Sequence, residues 1–353
     1  MSESADIIAA TAARIFRDFA DPHHVNSSAD EARKPRLWQA LTQAGLTLAW
    51  VPEEQGGAGA SLAEGFVIIR AAGRYAAPIP IAETLLAGWL LSQAKIASPD
   101  GEMALAPMHP ADRIMLNPDG TLSGSARGVS FAQEARHIAV CVHGGSARCV
   151  ALVDAAACAI PGSRSIAGEP RSTMIFDRAR PVCIAAAGDF DPASVMLMGA
   201  AVRSVESAGA LESVLGLSLA YANERIAFGR PIGKFQVVQH NLARLAGEVA
   251  AAMTAAGSAA DALSGTGACD DAVFLEVASA KIRCAEAAQE GAAIAHQIHG
   301  AMGFTREHVL HRYTLRLLSW RDDFGNESHW AAMLGNRIAA GGAEALWPLL
   351  ASR

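Results

Sequence analysis

From about residue 190 the chain reads as long alanine-rich helices, and one stretch, YANERIAFGRPIGKFQVVQH at 221–240, interrupts them. Upstream, Met198, Val202, Val205, Ala208, Leu211, Leu215 and Leu219 recur at spacings of three or four, which marks one apolar helical stripe. Inside the interruption, Gly229, Pro231 and Gly233 cannot continue a helix. The chain must therefore reverse at this point. Further helices are expected at 235–263, 270–298, 302–319 and 326–340. Long helices joined by short connections predict an antiparallel bundle over 187–353.

The first hundred residues also read as helical. DIIAATAARIFRDFA, RLWQALTQAGLTLAW, LAEGFVIIRAAGRYAA and ETLLAGWLLSQA carry helical periodicity, and VPEEQGGAGAS between the second and third is a glycine-punctuated loop. Residues 101–186 change character. HIAVCV, RCVALVD and STMIFD are short, rich in β-branched residues and bounded by turn formers, with NPDG at 117–120 as a turn. They predict a small antiparallel sheet or barrel. The expected class is α+β, mostly α: an N-terminal helical domain (1–100), a middle β domain (101–186) and a C-terminal helical bundle (187–353).

Charge and cysteine usage narrow the setting. A formal net charge of -6 over 353 residues gives no basic footprint for nucleic acid. Six cysteines, at 141, 149, 158, 183, 269 and 284, form no CxxC pair, so neither a zinc site nor a disulfide framework is expected. A reducing cytoplasm is the expected location. MSESADIIAA lacks the basic and apolar regions of a secretory leader. The most apolar run, APIPIAETLLAGWLL, is broken by Pro78, Pro80 and Glu83 and is too short to span a bilayer.

Two segments carry chemistry. In the first, Arg225 stands at a helix end beside Phe228-Gly229 and ahead of Gln239. A guanidinium, a ring and a glycine at one junction suit a phosphate-bearing ligand with a purine. The same residues also suit a solvated interhelical turn, since basic groups are favoured at helix C-termini. In the second, HQIHGAMGFTREHVLHRY at 296–313, Gln297 closes a helix and Gly300 and Gly303 permit a tight crossing with free backbone N–H groups. An ordinary helix–helix corner reads the same way. His296, His299, His308 and His311 repeat at i, i+3, but no Glu-x-x-His accompanies them, so no metal is expected.

Together, in this order, these segments resemble the acyl-CoA dehydrogenase family. The first matches the pattern Y-x3-R-x2-FG-x-PI-x2-FQ-x2-Q at Tyr221, Arg225, Phe228-Gly229, Pro231-Ile232, Phe235-Gln236 and Gln239. The second matches Q-x-x-G-[GA]-x-G at Gln297, Gly300, Ala301 and Gly303, and WVPEEQGGAG resembles the family's V-P-E-x-x-GG-x-G loop. The resemblance implies FAD as cofactor, held between subunits. It also implies dehydrogenation of an acyl-CoA, with a carboxylate taking the α-proton and the β-hydrogen leaving as hydride to the flavin. It assigns Arg225 to the FAD pyrophosphate and Phe228 and Gln239 to the adenosine side. Gln297, Gly300 and Ala301 would hold the neighbouring subunit's dinucleotide. The electron acceptor it implies is an electron-transfer flavoprotein or a similar protein.

The chain departs from that pattern in three places. ALAPMHPADRIML at 104–116 lacks the T-E-x-x-x-GS flavin strand. GSARGVS aligns with G-x-K-x-[WF]-[IV]-T, so Gly128 replaces the aromatic and Ser130 keeps a hydroxyl for flavin N5, with Phe131 as a substitute ring. The position of the catalytic Glu falls on Phe324 in SWRDDFGNES, and the family's alternative position falls near Gly199. Asp323 is then the expected base, with a solvated loop acid beside Arg321 as the other reading. Two arrangements remain: a homodimer or homotetramer using Asp323, or a heterotetramer in which this chain completes a fuller partner's FAD site.

Overall fold

The computed structural model describes residues 3–21, 29–144, 147–188, 190–266 and 270–351. The expected order of helices, sheet and helices is what it contains. The first layer holds α1 (Glu3–Ala20), α2 (Ala29–Gln43), α3 (Leu62–Arg74) and α4 (Ile81–Gln93). The Ser61 hydroxyl accepts from the Glu64 N–H and the Glu64 carboxylate accepts from the Ser61 N–H, a capping box that starts α3 sharply after the glycine loop. That loop folds tightly over Trp50 and Val51. A Cβ at Gly57 would stand 2.1 Å from the Val51 carbonyl, and one at Gly65 would stand 1.9 Å from Trp50 Nε1. Gly57 of the V-P-E loop and Gly65 of α3 are therefore packing requirements.

The middle layer is a seven-stranded sheet: β1 (Met103–Ala106), β2 (Arg113–Leu116), β3 (Leu122–Ser130), β4 (His137–Gly144), β5 (Ala147–Asp154), β6 (Arg171–Ala179) and β7 (Cys183–Ala186). The strand order is β6-β3-β2-β4-β5-β7, with β1 pairing β4. The expectation was a small antiparallel sheet or barrel, and in strand direction the structure differs in part. β1 runs parallel to β4 from Met103↔His137 to Ala106↔Val140. The short strands β1 and β2 carried no alternation long enough to reveal a parallel partner, so direction was decided by packing beneath α4.

The helical layer begins with α5 (Ala193–Glu224), followed by α6 (Gln236–Thr266), α7 (Asp271–His299), α8 (Leu310–Trp320), α9 (Glu327–Gly341) and α10 (Ala343–Ala351). α5 is buried on nearly every side along its first half, as a helix apolar all round should be. Two glycines let α3 cross it closely: a Cβ at Gly73 would stand 2.0 Å from the Glu206 carbonyl, and one at Gly209 would stand 2.2 Å from the Arg70 carbonyl. The helix expected at 302–319 starts later, at Leu310. Gly300–Phe304 is instead a 3-10 turn, with Gly300 at φ 60 outside the right-handed region. Among the described residues no helix is long and apolar enough to cross a membrane.

Candidate functional site

The two glycine-bearing segments of the sequence meet at one end of the bundle. α5 ends at Arg225, whose N–H donates to the Tyr221 carbonyl, and the chain then makes a two-residue hairpin, β8 (Ile226–Ala227) and β9 (Arg230–Pro231). Phe228 and Gly229 form its tip with φ 51 and 79. α7 ends beside it: the Tyr221 ring stacks on His299 at 4.4 Å, and His299 in turn meets His308 at 4.7 Å. His296 stacks on Phe304 at 4.1 Å and its Nε2 lies 2.9 Å from Thr314 Oγ1. Three of the four histidines thus act as packing rings between helix ends, and His311 Nδ1 lies 2.7 Å from the His308 carbonyl. Among the described residues no cluster of three or more metal-ligating side chains exists.

This end offers what an anionic dinucleotide needs. Phe228 is 96% exposed, and Phe235 beside it lies under the Arg230 guanidinium at 4.4 Å. Arg225, Gln239, Gln297, Gly300 and Ala301 are all exposed. Among the described residues the Arg225 guanidinium has no protein partner. Gln239 Nε2 donates to the Gly233 carbonyl at 3.0 Å, which holds the start of α6 against the hairpin. Open space surrounds Gly300 where a Cβ would stand, so its backbone can be approached closely. Ile226, Val237, Met302 and Phe304 add exposed apolar surface.

The residues expected at the reacting end sit elsewhere, around a buried arginine. Arg203, on α5, has each edge of its guanidinium occupied by a carboxylate. Nε donates to Asp323 Oδ2 at 2.9 Å, Nη1 to Glu206 at 2.5 Å and Nη2 to Glu83 on α4 at 2.5 Å. Arg171 of β6 lies 2.9 Å from the other Asp323 oxygen and donates to the Ser319 carbonyl at 3.0 Å. Asp323 is 2% exposed, so it is not the solvated loop acid of the alternative reading. Both of its oxygens are thus taken up by guanidiniums. Ser130 is buried too, with Arg203 Nη2 3.5 Å from its Oγ.

Phe324 fills the place where the resemblance puts the base. It is fully buried at φ 56, its N–H donates to the Met108 carbonyl at 2.9 Å, and its carbonyl accepts from Trp330 Nε1 at 3.0 Å. Its ring lies on Gly199, whose Cβ would meet Phe324 Cδ1 at 2.2 Å. The two family positions for the acid, far apart in sequence, are therefore in contact, and both are apolar. Gly128 is closed as well: a Cβ there would stand 3.0 Å from the Arg171 guanidinium, and its φ of 64 excludes an aromatic without strain. Phe131 is buried in the core. Glu327 lies in the first turn of α9 and pairs with Arg321, while Asn326 supplies the cap.

A cavity of about 360 Å³ approaches this region from the other side, lined by Pro107, His143, Met196, Phe274, His329 and Trp330. It reaches the start of α5 at Met196, and Phe324 covers Gly199. The charged cluster was absent from the expectations. Its signal was available: Glu83, Arg203 and Glu206 are charges inside otherwise apolar helical runs.

The architecture is a helical domain, a small mixed sheet and a helical bundle, with an exposed Arg–Phe–Gly turn at one bundle end. The family model for the acyl-CoA dehydrogenase N-terminal domain matches residues 2–94, and the C-terminal domain model matches residues 193–353. The chain is 30% identical over 319 residues to acyl-CoA dehydrogenase IpdE2 of Mycobacterium tuberculosis, covering 89% of this chain and 91% of that protein. The Tcur3481-Tcur3483 steroid ACAD superposes with a TM-score of 0.84 at 25% identity, over 97% of this chain and 99% of that one. An acyl-CoA dehydrogenase from Bacillus anthracis complexed with FAD has the same fold, with a TM-score of 0.72 at 20% identity over 98% of this chain and 69% of that one. The chain belongs to the acyl-CoA dehydrogenase family. FAD is that family's cofactor.

Proposed function

We propose that this chain is the cofactor-completing subunit of a two-component acyl-CoA dehydrogenase. It presents Arg225, Phe228 and Gln239, together with Gln297, Gly300 and Ala301, to FAD lying mainly on a partner chain. The partner supplies the α-proton acceptor and the acyl site. The observation that carries this reading is the contrast between the two ends. The bundle end is exposed and its arginine unpaired, whereas the reacting end is filled by Phe324 on Gly199 and by the Arg203–Asp323–Arg171 ion pairs. The residues present fit the pyrophosphate and adenosine portions of FAD and do not fit its ring system. The name of the Tcur3481-Tcur3483 steroid ACAD pairs two components, which supports the arrangement.

FAD, when bound, accepts the hydride of the dehydrogenation. This chain's part is binding and exclusion of water. Arg225 neutralises phosphate charge, and Phe228 covers an aromatic face. The Gly300 turn brings backbone N–H groups close to the cofactor. Electrons pass on to an electron-transfer flavoprotein or a similar acceptor. The test is flavin content. Purified alone, the chain is expected to be colourless or nearly so, and assembled with its partner it should carry one FAD for each pair of chains. Arg225→Ala should weaken FAD retention in the assembly by about tenfold to a hundredfold, the worth of a charged hydrogen bond. Stoichiometric FAD on the chain alone would overturn the proposal and restore the self-sufficient homo-oligomer.

A further inference from the structure

The Arg203 cluster stands where all three domains meet. Glu83 comes from α4, Arg171 and Ser130 from the sheet, Arg203 and Glu206 from α5, and Asp323 from the turn between α8 and α9. Three buried carboxylates face two buried or half-buried guanidiniums. Lys281 on α7 adds its positive charge on the Asp323 side: its Nζ donates to the Trp320 and Arg321 carbonyls at 3.0 and 2.9 Å, burial pushes it down to about 8, and Asp323 draws it back up. Glu169 is a further like charge to Glu83 and Glu206. Glu169 pairs with Arg316 of α8, and Arg70 and Arg74 of α3 pair with Glu212. Glu83 and Glu206 on one buried guanidinium leave a local excess of negative charge, which is costly, and a bound proton removes it.

We propose that Glu83 and Glu206 share one proton across Arg203, making the three-domain junction a pH-sensitive clamp that weakens when the proton leaves. Asp323 lies against both arginines, while Glu83 and Glu206 both reach a single guanidinium, that of Arg203, with each other and Glu169 as negative neighbours. Burial drives both of these acids upward, Glu206 to about 7. A folded-state value raised above the unfolded one stabilises the fold at low pH. That contribution is lost as pH rises through the folded value, here between the ordinary glutamate value of about 4.3 and neutrality.

The test compares urea unfolding of the full chain with its Glu206→Gln and Glu83→Gln variants from about pH 5 to about pH 8. Glutamine mimics the protonated acid. One of the two variants is expected to gain on the wild type by up to about tenfold in the unfolding constant per pH unit, levelling off above pH 7. A ratio that does not change with pH for both variants overturns the proposal. Where a variant fails to fold, the infrared carbonyl band of a buried carboxylic acid in the wild type gives a second reading. Loss of that band between about pH 6 and about pH 8 supports the shared proton, and no band at either pH overturns it.

Discussion

Phe324 and Gly199 show how a single pair of residues redirects a site. Phe324 holds a left-handed backbone that costs a non-glycine residue about 1–3 kcal/mol, and buried packing on Gly199, Met108 and Trp330 maintains it. No room remains for a methyl group between the helix and the ring. Gly199→Ala is therefore expected to destabilise the chain by about 1–3 kcal/mol through overpacking. Adding Phe324→Leu should recover part of the loss. Urea unfolding of the single and double variants measures this, and strict additivity would mean the two side chains do not interact. At the same scale, Asp323 illustrates what a motif count misses. Its position beside the family's acid was legible in the sequence, but its two arginine partners lie 120 and 152 positions away. Nothing local predicts which charge will meet it.

Among the elements, the crossing of α3 over α5 positions the cluster. Gly73 and Gly209 let the two backbones approach, which places Glu206 inward rather than toward solvent. Gly73→Ala should cost about 1–3 kcal/mol and lower the melting temperature, since the Glu206 carbonyl and not a flexible side chain stands in the way. A melting temperature equal to that of the wild type would show that the helices slide apart freely. Helix existence was readable from periodicity along most of the chain, and helix ends were not always. The start of α8 lay eight residues beyond expectation because the Gly300–Phe304 turn and the residues after it satisfy the end of α7 by a 3-10 path. The parallel pairing of β1 with β4 was likewise hidden, because strands of four residues are too short for their pattern to show direction.

For the whole molecule, two opposing pH dependences are built in. Burial lowers His143, His296, His299 and His329 below the ordinary imidazole value. The folded chain keeps them neutral while the unfolded chain takes up protons at about 6.5, so this contribution is full above that value and is lost as pH falls below it. Glu206 acts in the opposite direction. Stability is expected to pass through a maximum and to fall in mild acid. Replacing His299 by Gln should flatten the acid limb in a series of urea titrations. An unchanged acid limb would remove His299 from the account.

The sequence by itself determined the class, the order of the three layers and the two turns that carry Arg225 and Gln297, because periodicity, helix breakers and glycine turns act locally and leave their mark in adjacent residues. Only the tertiary structure decided the other end. Whether Phe324 would face Gly199, whether Asp323 would be a solvated acid or a buried ion pair, and which charges would share Arg203 all depend on contacts between distant segments. Burial makes those contacts decisive, since a charge removed from water must find its partner wherever the fold supplies one.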